Sequence, residues 1–221
     1  DLLQNPDIRA VICARGGNGA GQMLRYLNFN LIKNHPKIIL GFSDVTALLN
    51  AITAKAGLIT FHGPVLSRID KTGTASELSQ SLDMLEGAVP HPLTHGTVMA
   101  TGEGSGKLVG GNLSVFCSLL GTPWQPDTKG AILFLEDCGD QLSRFDRYFT
   151  QLLNAGILAG ISGLVLGDFS IEEDTGIIPF GFSFRERVAA SLAEYDIPVI
   201  TDAPFGHNGN LLTLPVGAQA T

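Results

Sequence analysis

Basic residues are scarce in this chain: 14 Lys and Arg stand against 21 Asp and Glu, a formal net charge of -7. That balance argues against a nucleic-acid partner, which would call for a basic face. Long apolar runs are missing too. Even Ala131-Ile132-Leu133-Phe134-Leu135 falls far short of the roughly 20 residues that cross a bilayer, so no membrane partner is expected. Cysteine is limited to Cys13, Cys117 and Cys138, an odd set without metal-ligand spacing. Reduced thiols and a cytoplasmic location are therefore expected, with neither disulfides nor a metal site. What the chain has instead is apolar residue (44%) and glycine (27 of 221 residues). It reads as a compact, turn-rich globular protein with a sizeable core.

Strand and helix patterns alternate. Residues 8–14, 37–42 and 58–61 read as strands, and 22–27 and 45–55 as helices. Strands that are apolar throughout, separated by helices, imply a parallel sheet covered on both faces. The expected fold class is α/β, with an N-terminal flavodoxin- or Rossmann-like parallel-sheet domain over 1–68. A polar, proline-bearing linker with a helix at 77–85 is expected over 69–95. A mixed α/β C-terminal domain follows over 96–221. Its strands are expected near 97–101, 131–135, 164–168 and 198–201, and its helices near 113–120, 144–154 and 185–194. Gly17, Gly19 and Gly21 do not fit G-x-G-x-x-G, because position 22 is Gln, and no G-x-x-x-x-G-K-[ST] occurs. A nucleotide cofactor is therefore not expected.

The stretch richest in chemistry is Ile38-Ile39-Leu40-Gly41-Phe42-Ser43-Asp44-Val45-Thr46. An apolar strand stops at a glycine, a serine follows two residues later, and a helix begins at once. That is the outline of a nucleophile elbow, which holds a hydroxyl out over the sheet edge. A serine hydroxyl needs a neighbouring base. His207, in the loop Ala203-Pro204-Phe205-Gly206-His207-Asn208-Gly209, is the first candidate, since an imidazole titrates near neutral pH. His62, which also follows a strand, is its rival. An orienting carboxylate would come from Glu136 or Asp137 at the mouth of the strand 131–135. Glu136 is preferred for that role, and Asp140 for capping the next helix.

These segments resemble the serine-dependent LD-carboxypeptidases, or muramoyl-tetrapeptide carboxypeptidases. The likeness rests on Cys13-Ala14-Arg15-Gly16-Gly17-Asn18-Gly19, Gly41-Phe42-Ser43-Asp44-Val45-Thr46 and Thr60-Phe61-His62-Gly63-Pro64. It continues through Gly110-Gly111-Asn112-Leu113, Leu119-Leu120-Gly121-Thr122-Pro123, Phe134-Leu135-Glu136-Asp137 and Pro204-Phe205-Gly206-His207. The resemblance implies a Ser43–Glu136–His207 triad, an active site in a cleft between two domains, and a homodimer. It also implies a cytoplasmic murein tetrapeptide as substrate, cut at its terminal D-alanine without a metal or other cofactor. Family members start with a further strand and helices and usually carry Tyr where this chain has Asn18. The first domain is accordingly expected to be truncated.

Under that reading the oxyanion donors would be the backbone N–H of Asp44, just after the nucleophile, and that of Gly17. Arg15, Asn112 and His62 are assigned to substrate binding. For Arg15 a salt bridge to a nearby Asp is an equal alternative, and for Asn112 a helix N-cap is favoured slightly. Trp124 is expected in the core or the cleft wall. Two other functions remain open: a microcin-immunity-like serine peptidase that cleaves aminoacyl-nucleotide amides, and a silent module that binds a small anion.

Overall fold

The computed structural model describes residues 2–69, 75–88, 93, 95–172, 180–209 and 211–221. Its strands are β1 (Ala10–Ile12), β2 (Ile38–Gly41), β3 (Thr60–His62), β4 (Thr97–Ala100), β5 (Gly106–Asn112), β6 (Ile132–Gln141), β7 (Gly163–Glu172), β8 (Val199–Thr201), β9 (Leu214–Val216) and β10 (Gln219–Ala220). Its α-helices are α1 (Ala20–Met23), α2 (Phe29–Asn34), α3 (Thr46–Ala56), α4 (Leu66–Ile69), α5 (Ala75–Leu85), α6 (Leu113–Ser118), α7 (Leu142–Asn154), α8 (Ile157–Gly160) and α9 (Phe184–Leu192). The strands form two sheets, ordered β1-β2-β3-β9 and β10-β5-β6-β7-β8-β4. In each, the inner run is parallel, and antiparallel strands lie only at edges. The α/β class read from the alternating pattern is the class observed.

The second sheet is built around β6. Ile132, Leu133, Phe134 and Leu135 are all buried, so this strand has apolar neighbours on both faces. Leu133 and Leu135 face the cluster made with Phe145, Phe149 and Leu152 of α7. Phe134, pointing the other way, joins Phe42, Leu49 and Phe205 in a cluster that spans both sheets. Burying a side chain of that size contributes about 2–3 kcal/mol, so the two lobes share part of their stability.

Polar bonds stitch the lobes together. Helix α3, which starts just after Ser43, carries a fully buried Asn50. Its amide Nδ2 donates to the Gly110 carbonyl at 2.7 Å and its Oδ1 accepts from the Gly110 N–H at 3.3 Å. One turn earlier, Thr46 Oγ1 accepts from the Asn112 N–H at 2.9 Å. The nucleophile's helix is thereby fixed to β5.

Three features of the chain path differ from the sequence reading. Strand β5 was not anticipated, because Gly110, Gly111 and Asn112 carry little β-propensity. Strand β9, inside the segment assigned to the second domain, returns to pair with β3 of the first sheet. It tolerates Pro215 because it is an edge strand. In the expected linker, α5 packs inward: Glu77 and Ser81 are buried, and Ser81 Oγ lies 2.6 Å from Thr213 Oγ1. Residues 70–74, 89–92 and 94 of that linker lie outside the described residues.

Gly110 tests this stitching. Its φ is +137°, and an added Cβ would fall 1.8 Å from the Phe134 carbonyl oxygen. Gly110→Ala is expected to cost about 3 kcal/mol or more. A urea unfolding midpoint within error of the parent would refute the close packing of β5 on β6.

Candidate active site

Strand β2 delivers Ser43 through a tight turn. At Gly41 a Cβ would sit 2.8 Å from Val45 Cγ1 and 3.1 Å from Cys13. Phe42 is extended, and Ser43 then adopts φ +62° before a 3-10 turn over Ser43–Val45 runs into α3. A left-handed non-glycine residue costs on the order of 1–3 kcal/mol, so this geometry is held by its surroundings. Gly16 backs directly onto it: a Cβ there would lie 3.0 Å from Ser43 Cβ. The carboxylate of Asp44 ties down the same loop by accepting from the Ala20 N–H at 2.9 Å.

His207 arrives from the loop after β8. Gly206 has φ +140°, and a Cβ on it would meet Asp168 Cβ at 2.7 Å. Asp168 Oδ2 accepts from the Asn208 N–H at 2.9 Å. The imidazole thereby lands between the two sheets. Its Nε2 is 3.1 Å from Ser43 Oγ and its Nδ1 is 2.6 Å from Glu136 Oε2. With Nδ1–H donating to the carboxylate, the Nε2 lone pair faces the hydroxyl.

Glu136 is fully buried beside a register shift in β6, between Leu135 and Asp137. Such an irregularity re-aims side chains. Burial drives its carboxyl pKa upward against the opposing effects of His207 and Asn112. For His207, burial works downward, but bonding to Cys138 and Glu136 outweighs it and raises the imidazole above 6.5. Asp137 points elsewhere: its Oδ1 accepts from Asn112 Nδ2 at 2.8 Å, and its Oδ2 from the Ser114 N–H at 2.9 Å. Asp140 does not cap α7. It accepts from the Gln141 N–H at 3.0 Å and pairs with Arg144 at 3.4 Å.

The structure thus brings Ser43, His207 and Glu136 into one hydrogen-bonded chain, with Asp44 and Gly17 in the two loops beside the serine. The residues assigned to substrate binding fare differently. Arg15 is exposed. Asn112 is only 4% exposed and caps α6, its Oδ1 accepting from the Val115 N–H at 3.2 Å and from Ser114 Oγ at 2.8 Å. Its Nδ2 serves Asp137 and, at 3.4 Å, Glu136. The amide is used on both sides, so Asn112 is a structural cap that also supports the carboxylates.

His62 is a correction as well. It is fully buried, so it can serve neither as base nor as substrate contact, and neither ring nitrogen has a hydrogen-bond partner among the described residues. Phe42, Phe134 and Phe205 surround it at 5.3–6.4 Å between ring centroids. Burial, with His207 nearby, lowers its pKa from 6.5 to about 3. Trp124 and Asn18 line a cavity of about 450 Å³ that reaches Asp44. Among the described residues no cluster of His, Cys, Asp and Glu could hold a metal. No helix among them is long and apolar enough to cross a membrane. The sequence reading also passed over Arg68, whose guanidinium lies 5.7 Å from the Phe42 ring. Nothing in a sequence pattern marks an arginine that donates to the backbone carbonyls of a distant loop.

An α/β protein with a serine, a histidine and a carboxylate joined across two sheets has the arrangement of a serine hydrolase. Comparison with known proteins makes this specific. Residues 1–63 match the LD-carboxypeptidase N-terminal domain and residues 105–221 the LD-carboxypeptidase C-terminal domain. The chain belongs to the LD-carboxypeptidase family and is a serine carboxypeptidase. It is 34% identical to the "Probable murein peptide carboxypeptidase" of Bacillus subtilis, covering 100% of this chain and 70% of that one. The crystal structure of muramoyltetrapeptide carboxypeptidase from Oxalobacter formigenes superposes with a TM-score of 0.84. Identity there is 33%, over 99% of this chain and 76% of that one. The microcin C7 self-immunity protein MccF of Escherichia coli is 29% identical over 99% of this chain and 72% of its own length. An apo MccF structure gives a TM-score of 0.87 at 27% identity, covering 99% of this chain and 74% of that one.

His62 makes stability depend on pH. Unfolded, it takes up a proton near 6.5; folded, only near 3. Its contribution is complete above pH 6.5 and is lost as pH falls from there towards 3, by up to about 1.4 kcal/mol per pH unit. His62→Leu should flatten the acid-side loss of unfolding free energy between pH 6.5 and 4. An unchanged slope would show that His62 is not held neutral.

Proposed function

We propose that this protein is a metal-independent LD-carboxypeptidase that releases the terminal D-alanine of murein tetrapeptide through Ser43, His207 and Glu136. The observation that carries this reading is the relay of 3.1 Å from Ser43 Oγ to His207 Nε2 and 2.6 Å from Nδ1 to Glu136 Oε2. Ser43 is partly exposed, so its hydroxyl can meet a substrate, while Glu136 is sealed from water. Peptidoglycan recycling in the cytoplasm, by a homodimer whose chains divide into domains at 1–68 and 96–221, is the setting this reading implies.

The steps follow from the geometry. Nε2 of His207 accepts the Ser43 proton as Oγ attacks the carbonyl carbon, and Glu136 stabilises the imidazolium. The oxyanion forms beside the N–H groups of Asp44 and Gly17, which have no acceptor among the described residues. Each fixed donor of this kind is worth roughly 3–4 kcal/mol in the transition state. The imidazolium then passes its proton to the departing D-alanine amine. A water, deprotonated by His207, cleaves the acyl-enzyme and restores Ser43. Arg15 has no ion-pair partner among the described residues, so its fork of donors is free for the substrate's terminal carboxylate.

The likeness to MccF supports a second reading, cleavage of an aminoacyl-nucleotide amide. The same relay would serve either substrate, so competition between a murein tetrapeptide and an aminoacyl sulfamoyl adenosine decides between them. Preferred turnover of the tetrapeptide is expected. Ser43→Ala should lower D-alanine release by at least about 10⁴-fold with the fold intact, and EDTA should leave the parent activity unchanged. Substantial turnover by Ser43→Ala would remove the serine from its role, and loss of activity in EDTA would remove metal independence.

Only a neutral His207 can accept the serine proton. Because its pKa is raised, kcat/KM should climb with pH through a midpoint above 6.5. Glu136→Gln removes one cause of the rise, so the midpoint should move to lower pH while the plateau falls. A midpoint at or below 6.5 in the parent would contradict the bond between the two side chains.

A further inference from the structure

The main chain that carries His207 is gripped from the other side by Arg68. Its Nη1 donates to the His207 carbonyl at 2.8 Å, and its Nη2 donates to the Gly209 carbonyl. The same guanidinium lies over the ring of Phe42, the residue before Ser43, and that ring in turn packs 4.8 Å from the His207 imidazole. One cation therefore touches both the peptide of the base and the aromatic neighbour of the nucleophile.

Arg68 is itself well anchored. It lies on α4, whose first N–H groups are held by the residues just after β1: Leu66 donates to the Cys13 carbonyl at 3.1 Å and Ser67 to the Ala14 carbonyl at 2.9 Å. Its Nε is 3.5 Å from Glu77 Oε2, with the two side chains 12% and 7% exposed. The other oxygen of Glu77 accepts from the Leu211 N–H at 2.9 Å. Arginine and glutamate thus clasp His207, Gly209 and Leu211 at three backbone groups. A side chain follows its own backbone, and a misplacement of about 1 Å in a reacting group can cost on the order of 10²-fold in rate.

We propose that Arg68, held by Glu77, is a positioning residue that fixes the His207 backbone so that Nε2 meets Ser43 Oγ. The proposal rests on the triad reading given above. Lysine cannot replace it, since an ammonium lacks the planar fork that reaches two carbonyls at once.

The test measures D-alanine release from murein tetrapeptide by Arg68→Lys, Arg68→Met and Arg68→Ala, with His207→Gln as control. A fluorophosphonate that labels Ser43 gives a second readout, independent of the peptide. Expected are falls in kcat of about 10-fold for Arg68→Lys and about 100-fold for Arg68→Met, with KM within about twofold and slower labelling in step. Guanidinium ion at tens of millimolar, by the same positional logic, should raise kcat of Arg68→Ala at least about fivefold and leave the parent unaffected. The proposal is overturned if Arg68→Lys and Arg68→Met keep kcat and labelling rates within about twofold of the parent. It is overturned equally if kcat falls only in proportion to lost folded protein and guanidinium restores nothing. An active His207→Gln would sink the triad reading and this proposal together. An inactive His207→Gln beside fully active Arg68 variants would sink this proposal alone.

Discussion

A carboxylate with no access to water dictates the arrangement of this site. Glu136 lies in the buried first part of β6, where an unpaired charge would cost several kcal/mol. Its partners are the imidazole of His207 and, at longer range, the amide of Asn112. Both come from elsewhere in the chain, and each must be delivered with its own backbone satisfied. Asn112 does so as a helix cap, and His207 by hanging from a loop fixed to Asp168 and Arg68. With the imidazole committed to Glu136 through Nδ1, Nε2 can only face Ser43.

The apolar side of the same arrangement is a cluster of rings. Phe42 adjoins Ser43, Phe134 lies two residues before Glu136, and Phe205 lies two residues before His207. His62 sits among all three. Each reacting side chain thereby projects from a backbone whose neighbouring ring is locked in a core shared by the two sheets. Close packing of this kind leaves little room for independent movement. Without hydrogen bonds among the described residues, a neutral His62 behaves as a fourth aromatic ring, and burial beside His207 opposes a proton on it.

Much of this was legible in the sequence because it is local. An apolar run broken by glycine, then serine, then a helix, encodes the elbow. The carboxylate after Leu135 reads as a charge at a strand mouth, whereas β6 runs on to Gln141 and holds Glu136 at a register shift. His207 was legible as a histidine on a glycine-flanked loop. The misreadings come from tertiary pairing. His62 follows a strand as His207 does, but β9 closes over it, and β9 comes from a segment about 150 residues later in the chain. Asn112 reads as a polar residue before a helix, and nothing local shows that its amide also serves two carboxylates on β6. Arg68 reaches the His207 loop through backbone carbonyls, which every residue possesses, so no side-chain pattern could reveal that contact.

Strain at the elbow fits this account. Ser43 and Asp202 are the two non-glycine residues with positive φ among those described. Ser43 precedes the helix that is stitched to β5, and Asp202 opens the loop that carries His207. The local cost of each, of order 1–3 kcal/mol, is offset by contacts made only in the assembled protein. Arg185 pairs with Asp202 on one side, and Gly16, lacking a side chain, leaves space for Ser43 on the other. Hydroxyl and imidazole meet because two unfavourable turns are each held in place by the packing around them. A chain relaxed at either turn would keep most of its core and lose the 3.1 Å contact on which proton transfer depends.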